Sequence, residues 1–437
     1  MSDCCFLAGA AKADITPEVG TLLYGYRPDS VSTSVHDPLE ATAVMFKQGD
    51  SAALLVSLSV GDLGTPLADE LRIIAGKAAG IDPARVIISA THTHSAPNVS
   101  GMEGWGDVDR PYVDNILIPA LKECTAAALA SLAPSELAFS TVRSEVGINR
   151  RQQFPDGFIG LGQNPWGCFD PTLTLIAIRR KSDRKGVVNM LHYGCHGTAA
   201  GDNREITRDW PGVMTDRLEK ETGVLTGFWN GAIGDVGPRL SNGQTTGNIS
   251  YVEELGAIAG DDAVKAYKAL GEYSDGLLKV IPCLISLPRK PLPPYEDARA
   301  ALDSYKEPEK LINISRLTYS YYKAVCDEYA AGCPDYEREF TYPAAVVAIG
   351  EAVFVPFPFE IFSEISMRLR AYSPFPHTLC LSNANGYNAY LPSRDQLVRG
   401  GYEVDCFRFS DAHPLADNSD QLLIDRNLAI IAEMLQK

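Results

Sequence analysis

The chain has 437 residues, 45% hydrophobic and 22% charged, which is the balance of a globular protein long enough to bury a sizeable core. Its formal net charge of −16 excludes a general grip on nucleic acid or on anionic lipid surfaces, since both would repel it at long range. No apolar run is long enough to span a bilayer and Met1-Ser2-Asp3-Cys4-Cys5 carries no leader pattern, so no stable membrane insertion and a cytoplasmic location are expected.

Residues 11–17 (Ala-Lys-Ala-Asp-Ile-Thr-Pro) predict an opening strand, followed by a loop with Gly20, Tyr24, Gly25 and Tyr26. Residues 41–46 and 52–60 are strand-like around Gln48-Gly49-Asp50 and predict a hairpin. The second strand ends at Gly61-Asp62, which places a carboxylate where it serves either as a loop cap or as the partner of a metal-bound histidine. Residues 67–79 have helical spacing and Val86 begins a buried strand; strand, helix, strand implies a parallel pairing.

That strand runs into Ala90-Thr91-His92-Thr93-His94-Ser95-Ala96-Pro97, where the chemistry is expected to centre. If the extended geometry persists, His92 and His94 point the same way, one available to a metal and the other to a reacting group. A pair of hydrogen-bonded structural histidines is the alternative.

Residues 112–131 predict a helix, and a strand at 138–146 runs into Gly147-Ile148-Asn149-Arg150-Arg151. The two arginines either bind a substrate carbonyl or carboxylate, or close a loop as a solvated pair. Strands at 173–179 and 187–193 bracket a turn, and the second delivers Gly194-Cys195-His196-Gly197. The small neighbours leave His196 room for a metal or ligand, or they pack backbone around it.

A helix is expected to begin within 206–212 and run through 221. The glycine-bearing segment 228–238 lacks the lysine and spacing of a phosphate loop. Residues 251–270 predict an amphipathic helix and 278–287 a strand; residues 289–336 read as a helical insertion or lid. A hairpin follows at 342–349 and 352–355. Glu360 then stands before a helix at 361–371, where the helix dipole is its local explanation. A strand at 379–383, tyrosine-bearing loops and a helix at 422–435 end the chain. Ten cysteines without a Cys-x-x-Cys unit are expected to be reduced. With no repeat or linker, the elements predict one large α/β domain over 1–437, a mixed β-sheet flanked by helices with its site at strand ends.

Ala13-Asp14-Ile15-Thr16-Pro17, Ala90-Thr91-His92-Thr93-His94-Ser95, the Asn230–Asp235 segment, Asn385-x-Tyr387-x-x-Tyr390 and Gly401-Tyr402-Glu403 occur in an order that resembles the catalytic domain of the neutral/alkaline (non-lysosomal) ceramidase family. The resemblance covers nearly the whole chain, and no counterpart of that family's C-terminal immunoglobulin-like domain is expected. It implies one Zn2+ per chain held by His92, His196, Glu360 and Tyr390, with His94 as the proton-transfer group and Arg150 and Tyr402 holding the scissile carbonyl. Asp235, Tyr387 and Trp229 are the candidate substrate contacts. Gly237 stands where the family has a serine, so no role can rest on that hydroxyl.

The expected function is a zinc-dependent hydrolase that cleaves a linear amide bond of a soluble small substrate through a metal-bound water, with an ester or lactone as the other candidate bonds. One alternative is a hydrolase of N-acyl lipids, with residues 295–329 as a lid over an acyl channel. Another is a metal- or ligand-binding protein without turnover. The expected partner is a small-molecule substrate, and the sequence gives no handle on oligomeric state.

Overall fold

The structure is a computed structural model that describes residues 5–333 and 338–436. Leu7–Asp14 (β1), Glu40–Gln48 (β2) and Ser51–Leu58 (β3) form an antiparallel run. The helix Thr65–Ala79 then returns the chain so that Val86–Ala90 (β4) lies parallel to β3. Ala133–Arg143 (β5), Thr172–Arg180 (β6) and Gly186–Tyr193 (β7) continue the sheet beyond β1, and the helix Trp210–Thr222 sets Thr226–Asn230 (β8) parallel to β7. The order across this sheet is β8-β7-β6-β5-β1-β2-β3-β4, with Ser274–Asp275 beside β5. It is the mixed, mostly buried sheet that the sequence predicts.

A second sheet is built from Leu278–Pro288 (β9), Glu339–Ile349 (β10), Ala352–Pro356 (β11) and His377–Leu381 (β12), in that order. Its last pair is again parallel, joined through the helix Ser363–Tyr372. Side-chain alternation decides how the two sheets stack. Val44, Phe46, Leu55, Ile87 and Met190 of the first sheet form one cluster with Val347, Phe354 and Leu379 of the second. Their strand neighbours Ala43, Met45, Leu54 and Ile88 pack instead with the helices 65–79 and 118–130. On the far side, Val346, Val353 and Cys380 pack with Leu369, Ile424 and Ile431 of the helices 363–372 and 419–436. The layers therefore run helix, sheet, sheet, helix. A strand buried on both faces reads as a continuous apolar run, so the sequence does not distinguish a face against helices from one against a second sheet.

Several boundaries differ from expectation, and those nearest the site shape it. The opening strand starts at Leu7 rather than residue 11. Residues 205–206 pair with Ser34–Val35, and the helix expected to begin within 206–212 does so at Trp210. Asp209 ends the preceding loop with φ of +59°, and its carboxylate accepts from the backbone N–H groups of Ala199, Ala200 and Trp210 at 3.0, 2.9 and 2.8 Å. The segment 228–238 holds the end of β8 and the strand Val236–Pro238, which pairs with Gly147–Asn149. The helix expected at 361 begins at Ser363, because Glu360-Ile361 pair in parallel with Tyr390-Leu391.

Residues 289–336 do contain helices, Tyr295–Asp303 and Asn313–Ala330, while Pro334–Tyr336 lie outside the described residues. Asn313 donates from Nδ2 to the Tyr26 carbonyl at 3.0 Å and from its backbone N–H to Gly104 at 3.0 Å, which seats the second helix on the loop around Tyr24–Tyr26. No described helix is long and apolar enough to cross a membrane. The described cysteines are free, and Cys4 lies outside the described residues.

Candidate functional site

The residues that follow the parallel strands meet at one place. β4 leads to His92, β7 to His196, β11 to Glu360 and β12 to Asn383, which is where open sheets with helical crossovers gather ligands. The strand does not persist through the first histidine: His92 has φ of +66° and its N–H donates to the Val60 carbonyl at 2.9 Å. The expected alternation is thus corrected, yet the rings still meet. The Nε2 atoms of His92 and His94 lie 3.1 Å apart. Asn383, Asn385 and Ala389 also have φ between +50° and +60°. Such backbone is costly for residues with a side chain and persists where surrounding contacts enforce it.

His196 donates from Nδ1 to the Val236 carbonyl at 2.9 Å, which leaves the Nε2 lone pair facing inward, 3.0 Å from Glu360 Oε2. His92 is oriented in the same way. Its Nδ1 lies 2.9 Å from Asp62 Oδ1 and 3.0 Å from the Asn383 amide, and its Nε2 is 3.7 Å from Glu360 Oε1. His92, His196 and Glu360 are all buried, with ligand atoms within 4.8 Å of one another. His196 Nε2 and Glu360 Oε2 have no hydrogen-bond partner: with the His196 proton on Nδ1, each presents a lone pair to the other. Buried polar atoms are rarely left so, and two imidazole nitrogens with a carboxylate at this spacing suit a zinc-like ion.

Tyr390 pairs with Glu360 across the short parallel bridge, and its hydroxyl oxygen accepts from Arg150 Nη2 at 2.9 Å. Tyr387 donates to Glu360 Oε1 at 3.2 Å. Glu360 therefore belongs to this cluster, and the local explanation of a carboxylate at a helix start does not hold.

Asp62 completes the cluster from behind, accepting from the Tyr24 hydroxyl at Oδ2 and holding the His92 imidazole at Oδ1. The substitution Asp62→Asn is expected to weaken zinc binding by about 10- to 100-fold while circular dichroism stays unchanged, as for partners that orient ligating histidines. Unchanged affinity in a calorimetric titration would remove Asp62 from the account.

Burial disfavours the imidazolium of His92, but the carboxylates of Asp62 and Glu360 outweigh it and raise the pKa to about 9. Below that pH the metal-free ring holds a proton that an ion must displace. Zinc affinity is therefore expected to rise with pH up to about 9, with proton release on binding at neutral pH. Zinc heats at pH 7 that do not vary between buffers of different ionisation enthalpy would contradict this. His94 behaves oppositely: burial, then His92, His196 and Arg150, push its pKa well below 6.5, so the ring is neutral.

Arg150 and Arg151 are buried, at 6% and 4% exposure, so the solvated-pair reading is overturned. Glu403 lies between them, accepting from Arg150 Nε at 2.9 Å and Arg151 Nη1 at 2.6 Å. Tyr402 stands at the start of the helix Tyr402–Phe409 with its ring 5.7 Å from that of Tyr390. Arg150, Tyr390 and Tyr402 are thus brought together beside the histidines.

Other expected residues lie elsewhere. The Asp235 carboxylate is taken up by Ser363, accepting from its N–H and hydroxyl at 2.8 Å each, and by Asn149 Nδ2 at 3.2 Å. Trp229 sits between the sheets, 1% exposed, in the cluster with Phe46 and Phe354, so it is corrected from a substrate contact to an interior residue. At Gly237 an added Cβ would lie 2.7 Å from Thr245 Cβ, so Thr245 fills the position where the resemblance has a serine.

Asn383, Glu403 and Tyr24 were not singled out from sequence. Glu403 stands beside Tyr402 and could have been found as the counter-charge that two adjacent buried arginines require. Asn383 ends a strand like the other site residues, but nothing local marks it.

With the geometry in place, the fold matches solved structures. Neutral ceramidase from Pseudomonas aeruginosa aligns with a TM-score of 0.73 at 17% identity, covering 99% of this chain and 75% of that one. A ceramidase complexed with C2 aligns with a TM-score of 0.70 at 17% identity, covering 99% and 76%. The chain therefore has a neutral ceramidase-like fold. Protein-family models and curated proteins give no match to the sequence.

Proposed function

We propose that the chain is a metal-dependent hydrolase acting on the carbonyl of an N-acyl compound, an amide in preference to an ester or lactone. The observation that carries this is the convergence of His92, His196 and Glu360 with two buried ligand atoms lacking hydrogen-bond partners. Tyr390 is the fourth donor of the set. When bound there, Zn2+ supplies Lewis acidity, lowering the pKa of water towards neutrality and polarising a carbonyl.

The chain's own residues supply the rest. His94, neutral and within 3.1 Å of His92, accepts a proton from the attacking water and returns it to the leaving amine. Arg150 is kept charged by Glu403, and Tyr402 carries a proton held well above its usual pKa by burial first and by nearby acidic groups. Both donate to the carbonyl oxygen as it gains negative charge. Neither role calls for a serine nucleophile, consistent with Gly237.

The substrate we favour is small and soluble. A cavity of about 270 Å3 meets the cluster through Tyr387, which donates to Glu360, and is lined by Ser100, Thr65, Asn388 and Glu103 as well as Met102 and Leu317, a mixed wall that suits a short polar compound. A second reading, an N-acyl lipid, is favoured by the likeness to ceramidase structures. The test is a comparison of zinc-loaded wild type and His94→Ala on a chain-length series of N-acyl substrates. The first reading expects the highest kcat/KM at short chains and the second at long ones. Full activity of His94→Ala with metal bound would remove the proton-transfer role.

A further inference from the structure

Arg151, next to Arg150, also lines a cavity of about 620 Å3 that includes none of the metal-candidate residues. This is within the range of small-ligand pockets, roughly 300–1,000 Å3. Its wall is rich in side-chain amides: Gln152 and Gln153 from the strand Arg151–Gln153, with Gln163, Asn164 and Gln396. Most of the charge in the wall is already engaged. Arg151 binds Glu403 and the Gly400 carbonyl at 2.6 Å each, and Asp235 is held by Ser363. Glu364 is paired with Arg368 at 3.8 Å, and Arg399 acts electrostatically on the neighbouring Asp395, so the wall carries no uncompensated charge that would select an ion. The side chains of Gln152, Gln153 and Arg399 are engaged by no described hydrogen-bond or ion-pair partner.

Trp166, which also lines the cavity, is 94% exposed, whereas Trp105, Trp210 and Trp229 are 5%, 0% and 1% exposed. An indole left almost wholly in water beside a polar cavity is an uncovered stacking face. A planar amide presents a donor and an acceptor side by side, the complement of two adjacent hydroxyls, and an aromatic face covers the C–H side of a pyranose ring. We infer that this cavity binds a neutral saccharide, with Trp166 stacked on the sugar ring and Gln152, Gln153 and Arg399 hydrogen-bonding its hydroxyls. The site is independent of the metal-dependent reaction and stands or falls without it.

Because Trp166 is the one exposed tryptophan of four, acrylamide quenching of intrinsic fluorescence reads this site directly. N-acetylglucosamine and methyl glucoside are expected to protect the quenchable emission saturably, and Trp166→Phe is expected to abolish that emission. The double variant Gln153→Ala/Arg399→Ala is expected to shift half-saturation at least about tenfold, with zinc uptake unchanged. Three results would overturn the assignment: no protection by either sugar, protection by inorganic phosphate instead, or protection without sugar that grows with protein concentration, which would mean that a second copy covers Trp166.

Discussion

Glu360→Gln is expected to lower zinc affinity by more than the 10- to 100-fold expected for partners behind the ligands, because it removes the negative charge among the ligand atoms. The carboxylate approaches His196 Nε2 at 3.0 Å and His92 Nε2 at 3.7 Å, and it is 1% exposed, so solvent cannot take its place. The amide keeps the shape and can still accept from Tyr387, so the fold is expected to persist. Isothermal titration with zinc beside circular dichroism checks both halves. Wild-type affinity in the variant would mean that Glu360 is not a ligand.

Arg150→Ala is expected to reduce kcat by about 100- to 1,000-fold on any amide that the wild type cleaves, the loss typical of removing one donor to a developing oxyanion. Zinc content is expected to stay unchanged. Arg150→Lys should recover little, since a lysine cannot reach Glu403 and the Tyr390 hydroxyl together as Arg150 does through Nε and Nη2. Breaking a buried ion pair is destabilising, but Arg151 still neutralises Glu403 at 2.6 Å, so a modest fall in Tm is expected rather than loss of folding. A variant that loses KM but not kcat would assign Arg150 to uniform substrate binding instead.

The hairpin of β2 and β3 and the parallel crossover into β4 were legible because alternation, turn residues and strand-helix-strand order are local signals. The second sheet was not separable from the first. Val347 and Phe354 read as core whichever layer they face, and only the folded pairing shows that they meet Val44 and Phe46.

At the site, His92, His196 and Asp62 could be singled out because each follows an apolar run. Their cooperation depends on the left-handed turn at His92, which no periodicity announces. Glu360 shows the limit of local reasoning. Its neighbours suggest a helix start, and its partner is Tyr390, thirty residues on along the chain. Trp229 erred in the other direction, because a tryptophan near a glycine-bearing motif has the same sequence appearance whether it lines a pocket or fills a core.

The most direct measurement is the metal content of purified wild type by elemental analysis, beside the double variant His92→Ala/His196→Ala. About one zinc per chain is expected in the wild type and none in the folded variant. A wild type that holds no metal and takes up none from added zinc would contradict it, and the two histidines would then be structural.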